Sequence, residues 1–171
     1  MPDAVLTCGD RVEGALGLPT FEAREDLVLG QIRFDGLKGE ARRARKRPRA
    51  VARRYERGWG AVKILAGVRA GKRTTVAVAR ASRPFVGFVY GPFTGSRGPR
   101  DRIGETEHVV EFRACPRDEP RRDGKGAVGR RTWFAGGLIV AQARCLHLVT
   151  KTPGAPARRY ALAYGVPAKS C

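Results

Sequence analysis

Glu105-Thr106-Glu107-His108-Val109-Val110-Glu111-Phe112-Arg113-Ala114 decides how this chain is to be read. Glu105, Glu107, Glu111 and Arg113 fall on one side of a period-two pattern, and His108, Val110, Phe112 and Ala114 on the other. Alternation of this kind belongs to an extended strand with one wet and one apolar face. Arg73–Ala79 repeats it, with Thr74, Val76 and Val78 opposed to Arg73, Thr75, Ala77 and Ala79.

Working outward, six more runs rich in Val, Ile, Leu and aromatic residues lie between Gly- and Pro-containing connections. They are Leu27–Phe34, Trp59–Val68, Phe85–Gly91, Trp133–Ala141, Cys145–Thr150 and Arg158–Tyr164. Arg69-Ala70-Gly71-Lys72 is short and contains Gly, as a hairpin connection between antiparallel neighbours would. No amphipathic helix longer than two turns interrupts the series, so the expected fold is all-β: a single antiparallel β-sandwich of about eight strands. Gly136-Gly137 beside Trp133 and Phe134 predicts a bulge or a close backbone approach. The domain is expected over residues 21–171, after a flexible N-terminal segment, 1–20.

A chain of 171 residues fits one domain with a real core. With 42% hydrophobic residues it should fold, and no apolar run approaches the roughly 20 residues of a membrane-spanning helix. The net charge of +18 attracts polyanions. Arg supplies 27 of the 34 basic residues and Asn is absent, a skew that GC-rich codon usage also produces.

The densest charge lies in Glu40–Arg57, read as a long basic loop between the first two strands and divided by Pro48. Its second half could make two helical turns with Val51 and Tyr55 on one side. Arg42, Arg43, Arg45, Lys46, Arg47, Arg49, Arg53, Arg54 and Arg57 form a candidate polyanion-binding set, with Tyr55 and Trp59 near enough for stacking. Nonspecific nucleic-acid binding in vitro follows from such a run, although no helix-turn-helix, zinc-finger or RNP-type motif accompanies it. Pro116–Arg131, mixed in charge and Gly-containing, reads as an exposed connection.

Cys8, Cys115, Cys145 and Cys171 are widely spaced, without a C-x-x-C pair, which suits disulfides better than zinc. Of the three possible connectivities, position favours Cys115–Cys145, where one strand-like run ends and another begins, with Cys8–Cys171 joining the ends. That last link would restrict the unfolded chain by about 4–5 kcal/mol in the chain-entropy model. Oxidised cysteines point to a secreted or cell-envelope location. Met1–Thr7 has neither a basic region nor an apolar stretch of the signal-peptide kind, which keeps a cytoplasmic alternative open.

Catalytic patterns are weak. Gly124–Gly129 matches G-x-G-x-x-G without a preceding strand or following helix, and Gly67–Lys72 misses the phosphate-loop spacing by one residue. Cys145 and His147 share a strand face, but two ligands do not make a metal site. His108 reads as an edge-of-core side chain with one nitrogen hydrogen-bonded, and Glu105, Glu107 and Glu111 as a solvated face balanced by arginines. No catalytic residue, metal or cofactor is assigned, and the expected function is that of a non-catalytic binding or structural module.

Cys8-Gly9-Asp10, Asp26–Phe34, Phe112-Arg113-Ala114-Cys115-Pro116, Trp133–Val140 and Arg144-Cys145 together carry a likeness. From about Cys8 to Cys171 the chain resembles uncharacterised exported proteins of high-GC actinobacteria. The resemblance implies an extracytoplasmic protein with no assigned activity, and the net charge of +18 makes an anionic polymer or another cell-envelope component the expected class of partner.

Overall fold

The computed structural model describes residues 1–13, 23–57, 61–90 and 103–171. Trp59 lies outside them. Among the described residues the protein is strand-rich, with twelve strands and two short helices. The strands are β1 (Ala4–Leu6), β2 (Leu27–Leu29), β3 (Ile32–Phe34), β4 (Ala61–Lys63), β5 (Ala66–Arg69), β6 (Arg73–Val78), β7 (Val86–Val89), β8 (Val109–Arg113), β9 (Arg131–Phe134), β10 (Gly137–Val140), β11 (Arg144–Lys151) and β12 (Arg158–Tyr164). The helices are α1 (Leu37–Lys46) and α2 (Pro48–Glu56).

The strands form a five-stranded sheet, β1-β8-β6-β11-β12, a four-stranded sheet, β2-β3-β5-β9, and a three-stranded sheet, β4-β10-β7. The eight expected runs all contain strand, but three of them divide. Leu27–Phe34 folds back on itself at Gly30, whose positive φ of 66° suits the first central position of a two-residue turn. Trp59–Val68 and Trp133–Ala141 each bend between the three- and four-stranded sheets.

Both bends occur at one corner. Ile64 N–H donates to the Gly136 carbonyl at 2.9 Å, and the Tyr90 hydroxyl donates to the Ile64 carbonyl at 2.8 Å. A Cβ on Gly136 would stand 2.2 Å from a Tyr90 ring carbon, and one on Gly137 2.6 Å from the Val62 carbonyl oxygen. The glycine pair thus makes the close approach its sequence suggested, and strands that switch sheets at such a corner let neighbouring sheets close over a shared interior.

That interior is continuous. Phe34 from the four-stranded sheet stacks on Phe88 at 6.4 Å, and Tyr90 meets Phe112 of the five-stranded sheet edge-on at 5.2 Å. Phe112 in turn meets Phe134 at 5.4 Å, so aromatic rings bridge all three sheets. Val76, Val78, Val110, Leu146 and Leu148 are buried around them.

Three expectations are corrected. Arg69–Lys72 is a turn, closed by Lys72 N–H on the Arg69 carbonyl at 3.0 Å, but it joins strands of different sheets rather than a hairpin. Of the expected N-terminal segment, Ala4–Leu6 form β1 and Cys8–Asp10 a 3₁₀ turn, while 14–20 lie outside the described residues. β1 runs parallel to β8, so the pairing is not wholly antiparallel, and Leu6 stands opposite Phe112. That register carries Cys8 to Cys115, and the disulfides are Cys8–Cys115 and Cys145–Cys171, with Cα separations of 4.7 and 5.5 Å. Cys115–Cys145 and Cys8–Cys171 do not form, because β1 delivers Cys8 to the end of β8. After β12 the chain turns at Gly165 and a short 3₁₀ turn, Ala168–Ser170, returns Cys171 to the start of β11. Two disulfides suit an oxidising compartment, and no helix among the described residues is long and apolar enough to cross a membrane.

Candidate functional site

The basic stretch is a helical hairpin rather than a loop. Leu37, Ala41 and Ala44 recur at intervals of four and three, which turns one side of α1 inward, and Leu37 and Ala41 are buried. Arg47, at φ −142° and ψ 62°, leaves helical geometry and breaks the helix, and Pro48 opens α2 at a position where its missing N–H costs nothing. Val51 is buried and Tyr55 half-buried on one side of α2. α1 packs against β12, and α2 against β10. Glu25 lies across α1, its carboxylate filling the space where a Cβ on Gly39 would stand.

All nine cations expected in the polyanion-binding set are exposed, and Lys38 joins them. Glu25 pairs with Arg42 at 2.6 Å and reaches Arg43 at 4.0 Å, while Glu40 pairs with Arg43 at 2.7 Å. Arg45, Lys46, Arg47, Arg49, Arg53, Arg54 and Arg57 have no carboxylate partner among the described residues. Arg49, Arg53 and Arg57 follow one another at intervals of four, about 6 Å per step along the helix axis. Tyr55 does not stack outward, since its hydroxyl accepts the Ile103 N–H at 3.2 Å. Tyr164 is buried under the hairpin, where desolvation and Glu40 raise its hydroxyl to about 12, against the pull of Arg54 and Arg43.

The weaker catalytic candidates come apart. Cys145 is oxidised, and His147 is exposed, its N–H donating to the Ser82 hydroxyl at 3.3 Å. His108 contacts the Arg83 carbonyl through Nε2 at 3.1 Å. Glu105 lies in a 3₁₀ turn outside β8. Glu111 is buried rather than solvated, paired with Arg73 at 2.8 Å and Arg113 at 2.6 Å. Burial raises its carboxyl, and those two arginines more than offset that, so the net direction is down. Gly124–Gly129 lies in a loop that leads into β9, with no helix after it.

Sequence reading missed a buried pair of carboxyls at the root of α1. Leu27 faces Phe34 in the β2–β3 hairpin, which sets Asp26 against Asp35 just beyond its end. Asp26 accepts the Gly36 N–H at 2.7 Å and pairs with Arg33. Burial and the adjacent Asp26 push the Asp35 carboxyl up to about 7, against the pull of Arg33. The hairpin's symmetry about Gly30-Gln31 was the signal that could have found this pair.

The second missed feature is the outer face of the four-stranded sheet. Pairing sets Arg33, Gly67 and Trp133 in one row and Arg69 beside Arg131 two residues on, with Val28 opposite Arg33. Trp133 lies flat over Gly67, where a Cβ would stand 2.6–2.8 Å from three ring carbons. Arg131 donates to the Gly67 carbonyl at 3.3 Å.

The architecture and the two faces define a disulfide-braced, strand-rich module with a cationic helical hairpin on its surface. No protein-family model matches the chain, and no curated protein matches its sequence.

Proposed function

We propose that the protein is a non-catalytic, extracytoplasmic binding module that captures an anionic polymer of the cell envelope through the α1–α2 hairpin. The observation that carries this reading is the set of seven exposed cations without a carboxylate partner among the described residues, mounted on helices whose other sides are buried. Unneutralised guanidinium groups on a rigid support attract a polyanion and lose little side-chain freedom in holding it. The two disulfides support the compartment, and the charge extends the same capture to nucleic acid in vitro.

The test is a titration across salt with poly(glycerol phosphate) and with a single-stranded oligonucleotide, comparing the wild type with an Arg49→Ser/Arg53→Ser/Arg57→Ser variant. Each lost phosphate contact flattens the slope of log affinity against log salt by about 0.7, so the triple variant should lose about 2 from that slope. Tighter binding of the envelope-type polymer supports the whole reading. Preference for the oligonucleotide would overturn the envelope assignment, and equal affinity of the two proteins would remove the hairpin.

A further inference from the structure

The outer face of the four-stranded sheet lies apart from the cations of the α1–α2 hairpin and gathers an aromatic ring and arginines of its own. Its centre is an indole. Gly67 lacks a side chain at the point where the Trp133 ring crosses β5, so the ring lies parallel to the sheet on its neighbour's backbone. Trp133 stays partly exposed, and Val28, three strands away, is 51% exposed. Around the ring stand Arg33, Arg69 and Arg131.

These arginines carry more positive charge than their surroundings neutralise. Arg33 pairs with Asp26, whose side chain is fully buried, yet the Arg33 Nε–H is buried without a partner. Neither Arg69 nor Arg131 has a carboxylate partner among the described residues, and Arg131 is held in place by the Gly67 carbonyl. Burial, with Arg33 and Arg69 nearby, lowers the Arg131 guanidinium's affinity for its proton. The half-buried Arg131 thus lies in the field of its two neighbours, with the exposed Arg69 beside it, and an anion there offsets that repulsion while accepting from the Arg69 and Arg131 N–H groups and the free Arg33 Nε–H.

We propose that this face binds a phosphorylated ring, with the ring on the Trp133 indole and the phosphate among Arg33, Arg69 and Arg131. A phosphate presents three acceptor oxygens to three guanidinium forks, and a flat apolar surface beside it accepts the face of a sugar or a base. The two sources share that chemistry. The site is separate from the hairpin and stands whether or not the hairpin captures a polymer.

Calorimetric titration with glucose phosphate, adenosine monophosphate, glucose, adenosine and inorganic phosphate tests it. In a Trp59→Phe background, the emission of Trp133 reports the location. At least one phosphorylated ring should bind saturably, about tenfold more tightly than both its parent and inorganic phosphate. Glucose phosphate as the tighter probe assigns a sugar unit, and adenosine monophosphate a base. Trp133→Leu and, on the exposed end of β5, Arg69→Ser should each weaken binding by about tenfold with the far-ultraviolet spectrum unchanged. The Arg49→Ser/Arg53→Ser/Arg57→Ser variant should bind as the wild type does. No saturation by either phosphorylated ring, equal binding of inorganic phosphate, or undiminished binding by Trp133→Leu would overturn the proposal. A matching loss in the hairpin variant would overturn its assignment to this face.

Discussion

Replacing Asp35 with Asn should make the protein's stability nearly independent of pH where the wild type weakens. Asp35 is 5% exposed and its carboxyl faces that of Asp26, which already holds the Arg33 guanidinium and the Gly36 N–H. The folded state therefore keeps Asp35 protonated up to about 7, whereas in the unfolded chain it ionises near 3.8. A carboxyl raised in this way contributes stability that is complete below the unfolded value and is lost as pH rises through the folded one. The interval from 3.8 to about 7 corresponds to about 4 kcal/mol, of which about 3 kcal/mol disappears between roughly pH 5 and 8.5. Against a total of about 5–15 kcal/mol for a domain, that is a large fraction.

Urea unfolding at several pH values in this window measures it. The wild type should lose about 3 kcal/mol more than Asp35→Asn across the range, and the variant should be the more stable protein at the alkaline end. Parallel pH profiles for the two proteins would refute the argument. Protection of the α1 amides, corrected for the base-catalysed intrinsic rate, should fall with pH in the wild type alone, since Asp26 fixes the Gly36 N–H at the helix entrance.

Other outcomes are equally specific. Removing Cys8–Cys115, which spans 107 residues, should destabilise by about 5 kcal/mol in the chain-entropy model, against about 3–4 kcal/mol for Cys145–Cys171, which spans 26, both read from urea unfolding of paired Cys→Ala variants. Gly136→Ala should cost about 2–3 kcal/mol, because the new methyl group meets the Tyr90 ring at the sheet corner, and the thermal midpoint reports it. Glu111→Gln should make acid unfolding shallower, since a carboxyl held down by Arg73 and Arg113 contributes stability above its unfolded value of 4.5 that is lost as pH falls.

Alternating side chains in Arg73–Ala79 and around Val110 and Phe112 revealed strands because sheets with one covered face write that pattern locally. β1 escaped notice because three residues are too few to alternate and its partner lies about a hundred positions away. The cysteine pairing depended on that invisible strand, so position along the chain pointed to the wrong partners. α1 was obscured by starting the basic stretch at Glu40, which omits Leu37, the first buried residue of its ladder. The hairpin's cations were legible individually. The clustering of Arg33, Arg69, Arg131 and Trp133 was not, because it arises only when three separate strands take their register.

The order in which the sulfur atoms pair bears on how the molecule is made. First joins second and third joins fourth, so a chain oxidised from its N-terminus onward offers each cysteine its native mate as the next one to arrive. Such a sequence needs no slow thiol exchange to repair early mistakes, whereas a nested arrangement would leave Cys115 free to capture Cys8 prematurely. For a chain oxidised in that order, native connectivity follows the direction of synthesis.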